Sequence, residues 1–273
     1  GLIVLLRRRL AAHLTPPVET LAGLVRLVET YRPAAVIGVG LHAPILLAGL
    51  HRRDDVRTAW YGADELLRFH CSCMRRESPR QIARRLPLLA EHLALERFFL
   101  PRCGGAIGVN PTDTRMFQWI AGARDAVTAR NGVDLERFSP RPETSRPESL
   151  VFWGSMDFEP NIDAMRWFVR QIWPQVRWFR PRARLSIVGR DPVKEISALH
   201  GRDGVEVLGR VEDVRPHARQ AAAVVLPMRC GGGIKNKLLE AAALGRPILA
   251  SPLAVQGLEL PSDRPAMALC RHD

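Results

Sequence analysis

At about 100–200 residues per domain, a chain of 273 residues accommodates two domains, and 47% hydrophobic content is enough to bury two cores. The formal net charge is +12, yet the basic excess is spread over both halves, and only Lys194, Lys235 and Lys237 of the 40 basic residues are lysine. That dispersal excludes a basic tail or dedicated nucleic-acid domain, as does the lack of an RNA-binding aromatic signature or zinc-finger spacing. What remains is a mildly basic surface suited to anionic substrates or lipid headgroups.

Five cysteines, Cys71, Cys73, Cys103, Cys230 and Cys270, form no disulfide framework, which points to a reducing, cytoplasmic setting. Cys71-Ser-Cys73 lacks a second Cys/His pair, so these read as ordinary thiols and no metal is expected. No signal peptide is recognisable in GLIVLLRRRL, and the opening Gly-Leu-Ile suggests a fragment. The uncharged stretch from Ala34 to Leu50 contains His42, Pro44 and several glycines and falls short of the usual span of about 18–20 apolar residues.

In chain order, Thr20–Tyr31 has helical apolar spacing at Leu21, Leu24, Val25 and Val28. A buried strand at Ala35–Val39, a helix at Ile45–Leu50 and a strand at Val56–Trp60 follow. Gln81–Leu100 reads as a helix broken near Pro87, with Arg84, Arg85, Glu91 and Glu96 on a solvated face. Ala106–Val109 is a strand, Asn110-Pro-Thr-Asp113 a helix start that Thr112 can cap, and Ala126–Ala129 a strand meeting the turn dipeptide Asn131-Gly132. Residues 140–149 have no apolar period and read as linker, which divides the chain into domains 1–139 and 150–273.

The alternation restarts with a strand at Leu150–Trp153 and a helix at Asn161–Val169. Strands at Leu185–Val188 and Val205–Leu208 follow, with helices at Val193–Leu199 and Val214–Gln220. Next come the strand Ala221–Leu226, a turn of Gly231, Gly232 and Gly233, a helix at Ile234–Leu244, and strands at Ile248–Ala250 and Ala266–Cys270. Repeated strand–helix units of this kind predict an α/β fold with parallel sheets, two Rossmann-like domains in all.

The stretch Pro227–Pro247 carries the chemistry. Glycines ahead of a helix let backbone N–H groups approach a ligand, the helix dipole favours an anion there, and Lys235 adds a full charge. At about 100° per residue, Asn236, Lys237 and Glu240 share one side, leaving Leu238, Leu239, Ala242 and Ala243 for packing. Neither GxxxxGK[ST] nor GxGxxG is present, and a glycine turn alone is often only a turn. After the Leu150–Trp153 strand, Gly154 and Ser155 offer a small residue and a hydroxyl where a phosphate can sit; as plain turn residues they need no ligand. Val188-Gly189-Arg190 and Arg210-Val211-Glu212-Asp213 end neighbouring strands, and Asp213 can equally cap the next helix.

PMRCGGGIKNKLLEAAALGRP, with SPLAVQGLEL after it, RNGVDLERFSP from Arg130, and GSMDFEPNIDAMRWF from Gly154 together resemble family 4 glycosyltransferases, in the branch with a GGGI[RK]xKxLEAxAxGxP signature. The likeness is strong from Asn131 to Leu260 and weak before it. It implies the GT-B architecture and transfer, with retention, of a sugar from a UDP- or GDP-sugar to a hydroxyl of a glycan or lipid-linked acceptor. On this reading Gly231, Gly232, Gly233 and Lys235 hold the diphosphate, with Lys235 stabilising the leaving group. Gly154 and Ser155 meet a phosphate oxygen and Glu240 the ribose.

Many relatives carry Glu where this chain has Gly232, and most other branches carry Arg and Lys near positions 155 and 160. Lys235 and Lys237 look like the substitutes. His42 and Asp64, and more weakly His70, are the acceptor-side candidates for a base, although the resemblance implies that the donor's own phosphate takes the acceptor proton. No cofactor and no nucleic-acid partner is implied; peripheral contact with the inner face of an anionic membrane is an expectation from the mildly basic surface. The resemblance also implies a strand and helix ahead of Gly1 and helices after Asp273. The alternatives are a nucleotide-sugar epimerase of the same shape, favoured by carboxylates lining the cleft, and a basic nucleic-acid-binding protein, favoured by steeply salt-dependent binding.

Overall fold

The computed structural model describes residues 18–51, 53–123, 125–142, 145–258 and 267–269. The GLIVLLRRRL segment, Cys270, part of the 140–149 linker and the ends of the expected Ala266–Cys270 strand lie outside them. The chain forms two compact units. One takes the chain to Arg130 together with Gly232–Ile234, and the other runs from Asn131 to Gly231 and resumes at Lys235.

The first unit contains α1 (Val18–Tyr31), β1 (Ala35–Val39), α2 (Ala43–Ala48), β2 (Arg57–Gly62), α3 (Leu66–Met74), α4 (Pro79–Phe99), β3 (Ala106–Gly108), α5 (Pro111–Ala121) and β4 (Ala126–Thr128). Its strands form a parallel sheet in the order β1-β2-β3-β4. Among the described residues β1 stands at the edge of its sheet and is not the buried strand expected: Val36 packs against Leu50 and Val56, while Ile37 and Val39, on the other face, are 58% and 69% exposed. Asn110, and not Thr112, caps α5, accepting from the Thr112 and Asp113 amides, because its side chain stands one residue ahead of the Pro111 that opens the helix.

α4 departs furthest from the sequence reading. It runs through Pro87 without a break, and Arg85, Glu91 and Glu96 are buried, leaving Arg84 of that set exposed. Packing of α3 on α4 decides this for Arg85 and Glu96, because it supplies them with partners. Arg85 pairs with Glu77 and reaches His70 Nδ1 at 3.3 Å, and His70 Nε2 lies 2.8 Å from His92 Nδ1. Burial, with Arg85 next in weight, lowers His70 to about 4, so this ring is neutral at pH 7 and belongs to the interior. Glu65 caps α3 by accepting from the Leu67 and Arg68 amides, while Glu96 accepts from Leu66 N. Burial pushes both carboxyls up, Glu96 to about 8; Glu65 raises Glu96 further, whereas the hydrogen bond with Glu96 works to lower Glu65. Cys71 is exposed and Cys73 buried, both on α3.

The second unit contains β5 (Arg146–Trp153), α6 (Glu159–Trp167), a π-helical turn (Phe168–Ile172), α7 (Trp173–Phe179), β6 (Arg184–Val188), α8 (Lys194–Ser197), β7 (Val205–Gly209), α9 (Arg215–Gln220), β8 (Ala221–Leu226), α10 (Asn236–Ala243), β9 (Ile248–Ala250) and β10 (Met267–Leu269). β5 starts at Arg146, four residues ahead of the expected Leu150. Strand order is β7-β6-β5-β8-β9-β10, all parallel. Counted from β5 this is the 3-2-1-4-5-6 order of a dinucleotide-binding sheet, whose direction of winding reverses between β5 and β8. One apolar cluster fills the unit, with Phe152, Leu185, Ile187, Val224 and Leu226 at its centre.

Candidate functional site

In an open parallel sheet, ligands bind beyond the carboxyl ends of the strands where the winding reverses. Here β5 leads at that point into Gly154 and Ser155, and β8 into the turn before α10. The main chain after β5 runs close to that after β6: Gly154 N donates to Val188 O at 3.0 Å and Met156 N to Arg190 O at 2.9 Å. A Cβ on Gly189 would lie 1.7 Å from Gly154 O, so only glycine fits there. Ser155 Oγ accepts from Arg190 Nε at 2.9 Å, and a hydrogen bond with Ser155 leads the causes holding Asp157 below its usual carboxylate range. A guanidinium thus stands beside the hydroxyl predicted to meet phosphate. A cleft of about 410 Å³ opens here, lined by Trp153, Gly154, Ser155, Arg190, Arg210 and Asp213.

α10 starts at Asn236 and not at Ile234, with Lys235 as its N-cap and no side-chain capping bond. The glycines explain the delay: Gly231 and Gly233 have φ of 115° and 60°, which the helix cannot absorb. Its packing set is also corrected. Leu238, Ala241 and Leu244 are buried, whereas Ala242 is exposed. Lys237 and Glu240 both turn toward β5. Lys237 Nζ donates to Asn161 Oδ1 at 2.7 Å and sits 4.2 Å from the centre of the Phe152 ring, and a Cβ on Gly154 would come within 2.7 Å of it. Its stem is half-buried, but the ammonium itself is enclosed. Burial first, then Lys235, lowers Lys237 to about 7, against a partial offset from Glu240.

Glu240 Oε2 accepts from Trp153 Nε1 at 2.7 Å, which fixes the carboxylate beside the end of β5. Asn236, on the same helix, accepts at Oδ1 from Asn131 Nδ2 at 2.7 Å. The second unit therefore brings Gly154, Ser155, Lys237 and Glu240 together, and Lys235 lies close enough to lower Lys237. Gly231 follows β8 in the same unit, while Gly232 and Gly233 group with the first. Asp213 accepts from the Arg215 amide at 2.9 Å and pairs with its guanidinium, which holds the start of α9.

In the first unit, His42 is exposed and precedes α2 after β1, whereas Asp64 is half-buried in the turn after β2. His42 lies near enough to His92 to help lower it, behind burial and His70. The sequence reading missed Trp153 and Asn161, which position Glu240 and Lys237, and named Arg190 without a role. Nothing in the local pattern marks Trp153 or Asn161, since both act through a helix about 80 residues away in the chain. Among the described residues no group of three His, Cys, Asp or Glu side chains could hold a metal ion, and no helix is long and apolar enough to cross a membrane.

Fold and site together define an α/β protein of two Rossmann-like units, with a cleft at the winding reversal of its second sheet. Residues 147–269 match the model of the family described as "Glycosyl transferases group 1". Among solved structures, the chain resembles sucrose-phosphate synthase from Thermosynechococcus elongatus, with a TM-score of 0.67 at 17% identity over 87% of this chain and 61% of that one. It also resembles TarM, with a TM-score of 0.63 at 13% identity over 85% and 44%. HepE from Anabaena in complex with UDP gives a TM-score of 0.57 at 15% identity over 88% and 65%. The chain thus spans between 44% and 65% of the lengths of these three. At such identities the likeness establishes the fold, which is of the GT-B kind with two parallel sheets. No curated protein sequence matches the chain.

Proposed function

We propose that the chain belongs to a nucleotide-sugar-dependent glycosyltransferase of family 4, which transfers a hexose from a UDP- or GDP-sugar to a hydroxyl of a glycan or lipid-linked acceptor with retention, at the inner face of a membrane. The observation that carries this reading is the constellation at the winding reversal of the second sheet. A cleft of about 410 Å³ has Arg190 on Ser155 at its floor, with an enclosed Lys237 and a fixed Glu240 beneath. Two cations and the open end of α10 suit a diphosphate, and one oxygen of Glu240 is held by Trp153 while the other suits ribose hydroxyls. The family match over this unit, and the UDP held by HepE, support the choice of donor.

In this mechanism Gly154 and Gly231–Gly233 present backbone N–H groups to the diphosphate. Lys235 and Arg190 stabilise the charge that builds up as the sugar–phosphate bond breaks, so no resident cofactor or metal is required of the site. His42 and Asp64, at strand ends of the first unit, orient the acceptor hydroxyl, and its proton passes to the departing phosphate. Lys237 adds a titration signature. An arriving anion raises its pKa from about 7, so UDP binding at pH 8 takes up a proton and affinity declines as pH rises above 7.

Calorimetry of UDP binding at pH 8, in two buffers of different ionisation enthalpy, tests this: the apparent enthalpies should differ, and Lys237→Met should remove the difference. Lys235→Ala should weaken UDP by about 2–3 kcal/mol. Unaltered UDP affinity in Lys235→Ala would reject its role. Incubation of the full-length protein with labelled UDP- and GDP-sugars separates transfer from epimerisation by product.

A further inference from the structure

The end of the second unit opposite the donor cleft carries an unassigned surface. α7 is anchored by Trp173, which is buried and donates from Nε1 to Asp203 O at 2.9 Å. Five and six residues later the helix has turned away from that anchor, and Trp178 and Phe179 stand 81% and 77% exposed at its end. The chain then passes through Arg180, Arg182 and Arg184 into β6, its bend held by Arg177 Nη1 donating to Ala183 O. Beside it, at the amino ends of β5 and β6, a pocket of about 230 Å³ is lined by Arg146, Arg182, Arg184 and His217, with Glu206 the acidic member. Glu148 approaches Arg180 at 3.8 Å, so two carboxylates face four exposed guanidiniums and the patch stays positive.

We propose that this patch docks the protein on an anionic lipid bilayer, an inference that rests on the membrane location proposed above, with Trp178 and Phe179 entering the interface and the arginine pocket taking a lipid phosphate. Three features favour this occupant. The aromatic pair protrudes from a helix end, where it can insert; a single-stranded nucleic acid instead needs aromatics along a groove on which bases stack. Trp and Phe flanked by arginine are the residues that partition into the headgroup region, the rings in the boundary and the guanidiniums on the phosphates. The pocket is below the roughly 300 Å³ at which pockets for whole small molecules begin and suits a headgroup phosphate. The surface lies at the amino ends of the strands and the donor cleft at their carboxyl ends, so the two can be tested separately.

The test is flotation of the nuclease-treated full chain with phosphatidylcholine vesicles, with and without phosphatidylglycerol, at about 0.1 M and about 0.5 M salt. Binding should require phosphatidylglycerol and weaken at the higher salt. Trp178→Ser/Phe179→Ser and Arg182→Glu/Arg184→Glu should each lower the bound fraction at least about tenfold, with thermal midpoint unchanged. Arg170→Glu, on α6's continuation away from the patch, should float like the parent. Equal flotation with both vesicle types, no flotation, or patch variants that float as well as the parent would overturn the proposal. So would patch-dependent binding of a single-stranded oligonucleotide without vesicle binding. None of these outcomes depends on UDP, so the donor reading stands or falls apart from them.

Discussion

The two units solve the problem of burial differently. The second encloses one continuous apolar cluster that reaches from β5 through α6 and α7 to β9. Among its described residues the first has two small clusters, one around Trp60 and Phe117 and one around Val28, Leu50 and Val56, and places charged side chains between α3 and α4 where apolar ones would otherwise pack. A buried charge is tolerated only with partners or a shifted pKa, and α3–α4 uses both, through the Arg85–Glu77 pair and the Glu65–Glu96 carboxyls. The contrast shows where each unit is vulnerable: the second to loss of volume, the first to changes in protonation.

Phe152→Ala is the largest blow to the second unit. It removes a fully buried ring that also faces Lys237, and should cost about 3–5 kcal/mol in urea denaturation. A cost below about 1 kcal/mol would break the contrast. Gly189→Ala comes next. Its Cβ has no room beside Gly154 O, so destabilisation at the upper end of about 1–3 kcal/mol is expected, together with loss of UDP binding by calorimetry.

The first unit should respond to pH. Glu96 titrates near 8 when folded against an ordinary 4.5, so between those values the folded state holds a proton that the unfolded state lacks. Stability therefore falls as pH rises through that window, by up to about 1.4 kcal/mol per unit, and levels off above it. Glu96→Gln should flatten the fall in thermal midpoint measured from pH 5 to 8; an unchanged slope would assign the titration elsewhere. The smallest effect belongs to the exposed pair of Arg170 and Glu195, 2.9 Å apart. Arg170→Ala should change stability by less than about 0.5 kcal/mol, and that little only at low salt.

Much of the second unit was legible in the sequence because its strands are short apolar runs punctuated by glycine and proline. Ala221–Leu226 and Ile248–Ala250 have the predicted bounds, and Gly154, Ser155, Lys237 and Glu240 do meet at one end of the sheet. α4 was misread for a physical reason. Helical periodicity reports which residues share a face, but a charged face looks the same in sequence whether it meets water or another helix. Only when α3 lies against it do Arg85 and Glu96 become interior.

The sequence by itself determined the order of strands and helices, the division into two α/β units and the glycine turn, since these depend on local spacing and on residues that break a helix or a strand. Tertiary structure alone decided the strand order that reverses between β5 and β8, the enclosure of Lys237 by Phe152 and Asn161, and the fixing of Glu240 by Trp153. Each joins residues many positions apart, and both the pKa of an ammonium and the aim of a carboxylate are set by what surrounds them in space, which neighbours in sequence do not specify.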